Sequence, residues 1–277
     1  MRRAPAAFDH RTLDELAIED ESSFDHVALY ADLKEVLRRH ACRFRVLPGR
    51  SSGRRDRALL LNLSFWAADA GGDVLSDASI EADVVAHAAW HHLAARELAF
   101  GSGRPMSVDA LFLGEAIASA FDVYLVGRLL GHAPRSTFLE TQVPAMAETA
   151  NAAGLSKAAF ASLLAGFART PERAFEDVRE LLFDAATALF ACRNAEQAQT
   201  ALRAFDGRRC CALLHRYELS NWVLYARAYG GDEFDRRARA IDRALRKAKA
   251  PLDWLRARWI APALAATPIR TAPRKRV

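Results

Sequence analysis

The segment His87-Ala88-Ala89-Trp90-His91-His92 places two imidazoles four residues apart. In a helix, residues i and i+4 stand one turn apart on the same face. Two imidazoles so placed can grip one metal ion. His87 and His91 share their face with Val84, Ala88, Ala94, Ala95 and Leu98. Such a face is expected to be buried, and its small residues leave room beside the rings. A buried neutral imidazole needs a hydrogen-bond partner or a metal. A pair at this spacing also arises as ordinary packed histidines, so a third donor is needed. Glu115 supplies a candidate. It lies in the middle of the apolar stretch Leu111-Phe112-Leu113-Gly114-Glu115-Ala116-Ile117-Ala118. A carboxylate there is costly unless it is paired with an arginine or bound to a cation. Gly114 and Ala118 would let two helices approach closely. Asp122, two turns on, is placed to orient a ligating histidine from behind. His92 is about 100° around the helix from His91 and cannot easily join the same ion. It is an accessory, a substrate contact or a surface histidine.

Two histidines and one carboxylate suit a single divalent ion, zinc first and Fe(II) second. The elements that must position them are two consecutive helices. Ser79 can cap one running from about Ile80 to Ala99, which Gly101 and Pro105 then stop. Ser107 can cap the next, from Val108 to Leu130, with Gly131 and Pro134 beyond it. Before them, Ser22 or Ser23 can start a helix that reaches about His40. Two strands come next, Cys42 to Leu47 and Leu59 to Trp66, both alternating in polarity. The Pro/Gly/Ser turn between them carries four arginines and suggests an antiparallel hairpin with a solvated tip. A loop runs through Pro144. Helices are then expected at about 155–168, 171–193, 195–205, 208–228, 232–249 and 251–260. Thr170-Pro171-Glu172 is a good helix start. Trp222, Tyr225 and Tyr229 lie at helical spacing and read as core. There is no internal repeat.

This pattern predicts an α+β chain, predominantly α-helical. A small antiparallel sheet and a two-helix metal-site unit precede an all-helical subdomain. The expected division is a flexible N-terminus at 1–22, a metal-site subdomain at 23–135, a helical subdomain at 136–265 and a basic flexible tail at 266–277.

Composition bounds the rest. The chain has 277 residues, 51% hydrophobic and 26% charged, as befits a folded globular protein. No run of about 18 apolar residues predicts a membrane span, and the acidic residues Asp9, Asp14 and Glu15 argue against a signal peptide. A bacterial-type cytoplasm is the expected location. The net charge of +5 permits an acidic partner. However, the arginine- and alanine-rich composition follows from high-GC coding bias, so nucleic acid is not the expected partner. Cys42, Cys192, Cys210 and Cys211 form no C-x-x-C pair and read as reduced, mostly buried thiols. Gly101-Ser102-Gly103-Arg104-Pro105 follows a helix and lacks the Gly-Lys-Ser/Thr ending of a phosphate loop.

Taken together, the paired histidines, the downstream Glu115, the preceding strands and the helical second half resemble the gluzincin branch of the zincin metallopeptidases. The resemblance implies that His87, His91 and Glu115 are metal ligands. It also implies a peptide or protein substrate or partner. The chain departs from that family at Ala88, where the family has its water-activating glutamate. A positioned general base contributes roughly 10²–10⁴-fold, so efficient peptide hydrolysis by the usual route is not expected. Replacement candidates are His92, or His215, Tyr217 and Glu218 from the helical half. Three functions are therefore open. One is an inactive or atypical metallohydrolase with a zincin-like fold. Another is an oxygenase-type enzyme using the same triad for Fe(II). The third is a metal-free helical interaction protein.

Overall fold

The computed structural model describes residues 8–49, 53, 74–99, 105–231 and 234–266. The expected strand at 59–66, most of the arginine-bearing turn before it, the 101–104 link and the basic tail from 267 lie outside the described residues. The chain is α+β and predominantly α-helical, with small sheets at its front.

The N-terminal segment departs from its expected flexibility. β1 (Asp9–Thr12) pairs antiparallel with β3 (Arg43–Val46), and β3 pairs parallel with β4 (Val74–Leu75). Between them, β2 (Ala17–Glu19) pairs parallel with β5 (Ser79–Glu81). The first sheet is therefore mixed. Leu13, Leu16 and Phe24 anchor this segment in the core. Asp20, in the left-handed region at φ 56°, accepts hydrogen bonds from Ser23 Oγ and Ser136 Oγ, both at 2.5 Å. The helix expected from Ser22 or Ser23 starts later. A 3-10 turn covers Glu21–Phe24, and α1 spans Ala28–Arg39. Likewise Ser79 and Ile80 belong to β5, so α2 spans Ala82–Leu98.

The centre of the molecule is α3 (Val108–Leu130). Ser107 caps it by accepting the Ala110 N–H at 3.1 Å. This helix is long and apolar enough to cross a membrane, contrary to the sequence expectation, but 83% of its apolar window is buried by neighbouring helices. It packs against α2, α5 (Lys157–Arg169) and α6 (Pro171–Ala191). Small residues allow the close approaches. A Cβ on Gly114 would lie 3.1 Å from Ala94 Cβ. One on Gly127 would collide with the Phe167 carbonyl, at the α5–α6 junction.

The expected loop through Pro144 is a helix, α4 (Thr137–Ala152), with the proline inside it. Phe138, Leu139, Met146 and Ala150 bury one side of α4, and that packing outweighs the lost backbone hydrogen bond. The remaining helices are α7 (Ala195–Arg203), α8 (Leu219–Tyr229), α9 (Arg236–Lys247), α10 (Pro251–Leu255) and α11 (Ala261–Ala265), with a π turn at Arg256–Ile260. The single helix expected at 208–228 is divided. A 3-10 segment covers Cys211–Tyr217, bounded by Cys210 and Glu218 at φ 70° and 46°. Left-handed residues end a helix, and neither is the glycine that would announce it. Trp222 is core as expected, whereas Tyr229 is 62% exposed. One continuous hydrophobic cluster runs through both halves of the chain.

A buried ion network ties α6 to α9. The fully buried Arg179 donates to Glu176 through Nε and Nη2, at 2.8 and 2.5 Å, and to Asp242 through Nη1 at 2.8 Å. Arg246 then binds Asp242 and Asp184, and Arg208 joins Asp184 at 2.6 Å. Truncating Arg179 takes the buried guanidinium from Glu176 and leaves Asp242 with Arg246 alone. Arg179→Ala should therefore lower the unfolding free energy by about 3–5 kcal/mol, measured by urea denaturation. Arg173→Ala, which removes an exposed arginine and leaves Asp177 its Arg209 partner, should cost under about 1 kcal/mol.

Candidate metal centre

Helix α2 presents His87 and His91 one turn apart, with ring centroids 4.8 Å apart. Helix α3 brings Glu115 opposite them, its Oε2 3.8 Å from His91 Nε2. One donor atom from each of the three residues lies within 4.8 Å of the other two. Tetrahedral ligands about 2.0–2.2 Å from zinc stand about 3.4 Å from one another. A closure of at most about 1.4 Å by side-chain rotation would therefore bring the three into coordination distance. The side chains of His87, His91 and Glu115 are 29%, 39% and 13% exposed. All three are partly buried, His91 the least so.

The donor set suits a divalent cation. Burial, reinforced by the neighbouring His87, pushes the His91 pKa down, which keeps its imidazole neutral and its lone pair available. Behind His87, Asp122 Oδ2 lies 3.5 Å from Nδ1. That leaves Nε2 as the ligating atom and gives the carboxylate its orienting position. Asp83 completes the surroundings, a residue that sequence reasoning missed. It lies four residues before His87 on the same face. Burial first, then Asp122, raises its carboxyl pKa to about 7. The Asp83-His87-His91 spacing at i, i+4, i+8 is the signal that could have found it.

The candidates for a replacement base are scattered. His92 points away from the site. Its Nε2 meets His40 Nδ1 at 2.6 Å and its Nδ1 meets the Cys42 thiol at 3.5 Å. His40 in turn meets the Ala263 carbonyl at 3.1 Å. If His40 Nε2 donates to that carbonyl, a chain of donors runs from Cys42 through His92 and His40 to α11. His215 and Glu218 line a separate groove in the helical half. The remaining candidate is Tyr217. Its hydroxyl is buried with no hydrogen-bond partner among the described residues, and Asp122 is among its electrostatic neighbours. Burial raises that phenol's pKa, so it stays protonated as a donor. Ala88 is half-buried against the core, where the resemblance would put a glutamate. Burial also pushes the thiols of Cys42 and Cys210 up to about 11 and about 12, which makes neither a nucleophile.

Comparison with known proteins found no matching family model, no matching curated protein and no matching solved structure. The reading of the site therefore rests on its geometry. Asp122→Asn keeps the size of the side chain but removes the charge that orients His87. It should weaken zinc affinity about 10–100-fold, measured by competition with a chromogenic chelator, with the melting temperature little changed.

Proposed function

We propose that this protein is a divergent zincin-like metal-binding protein, with His87, His91 and Glu115 holding one divalent ion, zinc in the first instance. The observation that carries the proposal is the convergence of these three donors, from two helices, within 4.8 Å. A neutral His91 and a carboxylate 3.5 Å from His87 support it.

Zinc in this site would supply Lewis acidity. The chain's own residues limit the chemistry open to it. His87 and His91 present their nitrogens, Asp122 fixes the orientation of His87, and Tyr217 holds a proton on a buried phenol. Ala88 offers neither a proton acceptor nor a hydrogen bond. Its methyl leaves peptide hydrolysis without the base that makes it efficient. The protein is thus an inactive or atypical metallohydrolase, with a peptide or protein as substrate or partner.

The same observation favours a second reading. Two histidines and one carboxylate also suit Fe(II) in an oxygenase-type enzyme, and that chemistry has no need of a glutamate at position 88.

Metal analysis of protein purified with and without oxygen tests both. About one equivalent of zinc, lost in His91→Ala and Glu115→Ala, is expected for a three-ligand site. Iron in its place, with oxygen-dependent turnover, would select the second reading. A metal-free protein that takes up neither ion and is unchanged by chelator would overturn both and leave a helical interaction protein. If the zinc reading holds, Ala88→Glu should raise hydrolysis of a peptide substrate by roughly 10²–10⁴-fold over the parent chain.

A further inference from the structure

Helix α7 is strongly amphipathic, yet none of its nine residues is buried. Leu202 is only partly buried against the core, and Ala198 and Leu202 both keep a side on open space. They form one wall of a groove of about 530 Å³. The opposite walls are Leu189 of α6, Leu214 of the 3-10 segment, and Val223 and Leu224 of α8. Leu224 is 62% exposed, an uncommon state for a leucine beside an apolar groove. A helix that turns its apolar side to a space of this size lacks a filling group. The volume falls in the range of small-molecule sites, about 300–1,000 Å³.

The polar side of the groove carries two arginines and one glutamate among neutral polar residues. Arg193 and Arg227 line it with His215. Arg227 is held in place by donating through Nη2 to the Phe190 and Cys192 carbonyls, at 3.1 and 2.6 Å. Those bonds leave other N–H groups of its guanidinium for a ligand. Arg193 precedes α7 and is exposed. Glu218, the acidic residue of the lining, accepts a hydrogen bond from Asn221 at 2.6 Å. Apolar walls with two arginines at one side complement a molecule with an apolar tail and an anionic head.

We infer that this groove binds a free single-chain carboxylate, its tail between α7 and α8 and its head group at Arg193 and Arg227. The site is independent of the metal centre. It also accounts for His215 and Glu218, which belong to this groove and not to the metal site.

Calorimetric titration tests the assignment, with sodium decanoate below its micelle concentration as the probe. Saturable binding of one decanoate is expected, with no binding of acetate. Decyltrimethylammonium, with the same tail and the opposite charge, should bind at least about tenfold more weakly. Arg193→Glu should weaken decanoate by about tenfold, and Ala198→Phe should abolish binding by filling the groove. Both positions are outside the buried core, so both variants should keep the parent melting temperature. Arg193→Glu alone then suffices if the larger side chain perturbs the fold. Absence of saturable decanoate binding would overturn the inference. So would equal binding of decanoate and decyltrimethylammonium, or retention on anionic lipid vesicles without decanoate binding.

Discussion

A helix apolar on every side must be surrounded. Val108–Leu130 is such a helix, and the fold is arranged to cover it. Its apolar surface requires α2, α5 and α6 at close range, which Gly114 and Gly127 permit by having no side chain at the contact. Its three acidic residues then each require compensation. Asp109 receives Arg239 through two hydrogen bonds and the Asp235 N–H at 2.9 Å. Glu115 faces His91, and Asp122 faces His87. An acidic group on a buried helix is expensive wherever it stands, so the helix dictates where its partners must come from.

The first of these compensations is structural. Asp109 and Asp235 are almost fully buried, and they link the starts of α3 and α9. Ser107 Oγ donates to Asp235 at 2.9 Å while accepting from Ala110, and Asp235 caps α9 through the Arg237 and Ala238 N–H groups. Glu115 and Asp122 stand beside imidazoles. A neutral imidazole is what a cation requires of a ligand. One helix thus carries both a finished electrostatic contact and an arrangement suited to an ion.

Much of the fold is legible in the sequence. Ser107 and Gly131 bracket α3, and Pro171 opens α6. Cys42 to Leu47 contains β3. The departures occur where tertiary contacts outweigh local preference. Pro144 signals a loop, yet burial of Phe138, Leu139 and Met146 holds α4 through it. Ser79 has the chemistry of a cap, yet the residues after it pair with β2 and delay the helix to Ala82. Cys210 and Glu218 adopt left-handed backbone without being glycine, so nothing in the pattern marks the break between them. Asp83 is inconspicuous in the sequence because its significance depends on Asp122, which lies on another helix.

The sequence by itself determined which donors could share a helix face, because a 3.6-residue turn relates His87 to His91 without reference to any neighbour. It also determined that Glu115 needed compensation, because its surroundings in the chain are apolar. It could not determine what would meet that carboxylate. That His87 and His91 stand beside it was decided by the packing of α2 on α3. The same packing sent His92 to His40 and Cys42, and separated His215 and Glu218 from Tyr217. Contacts between distant segments depend on how whole helix surfaces fit, and that fit is a property of the assembled core.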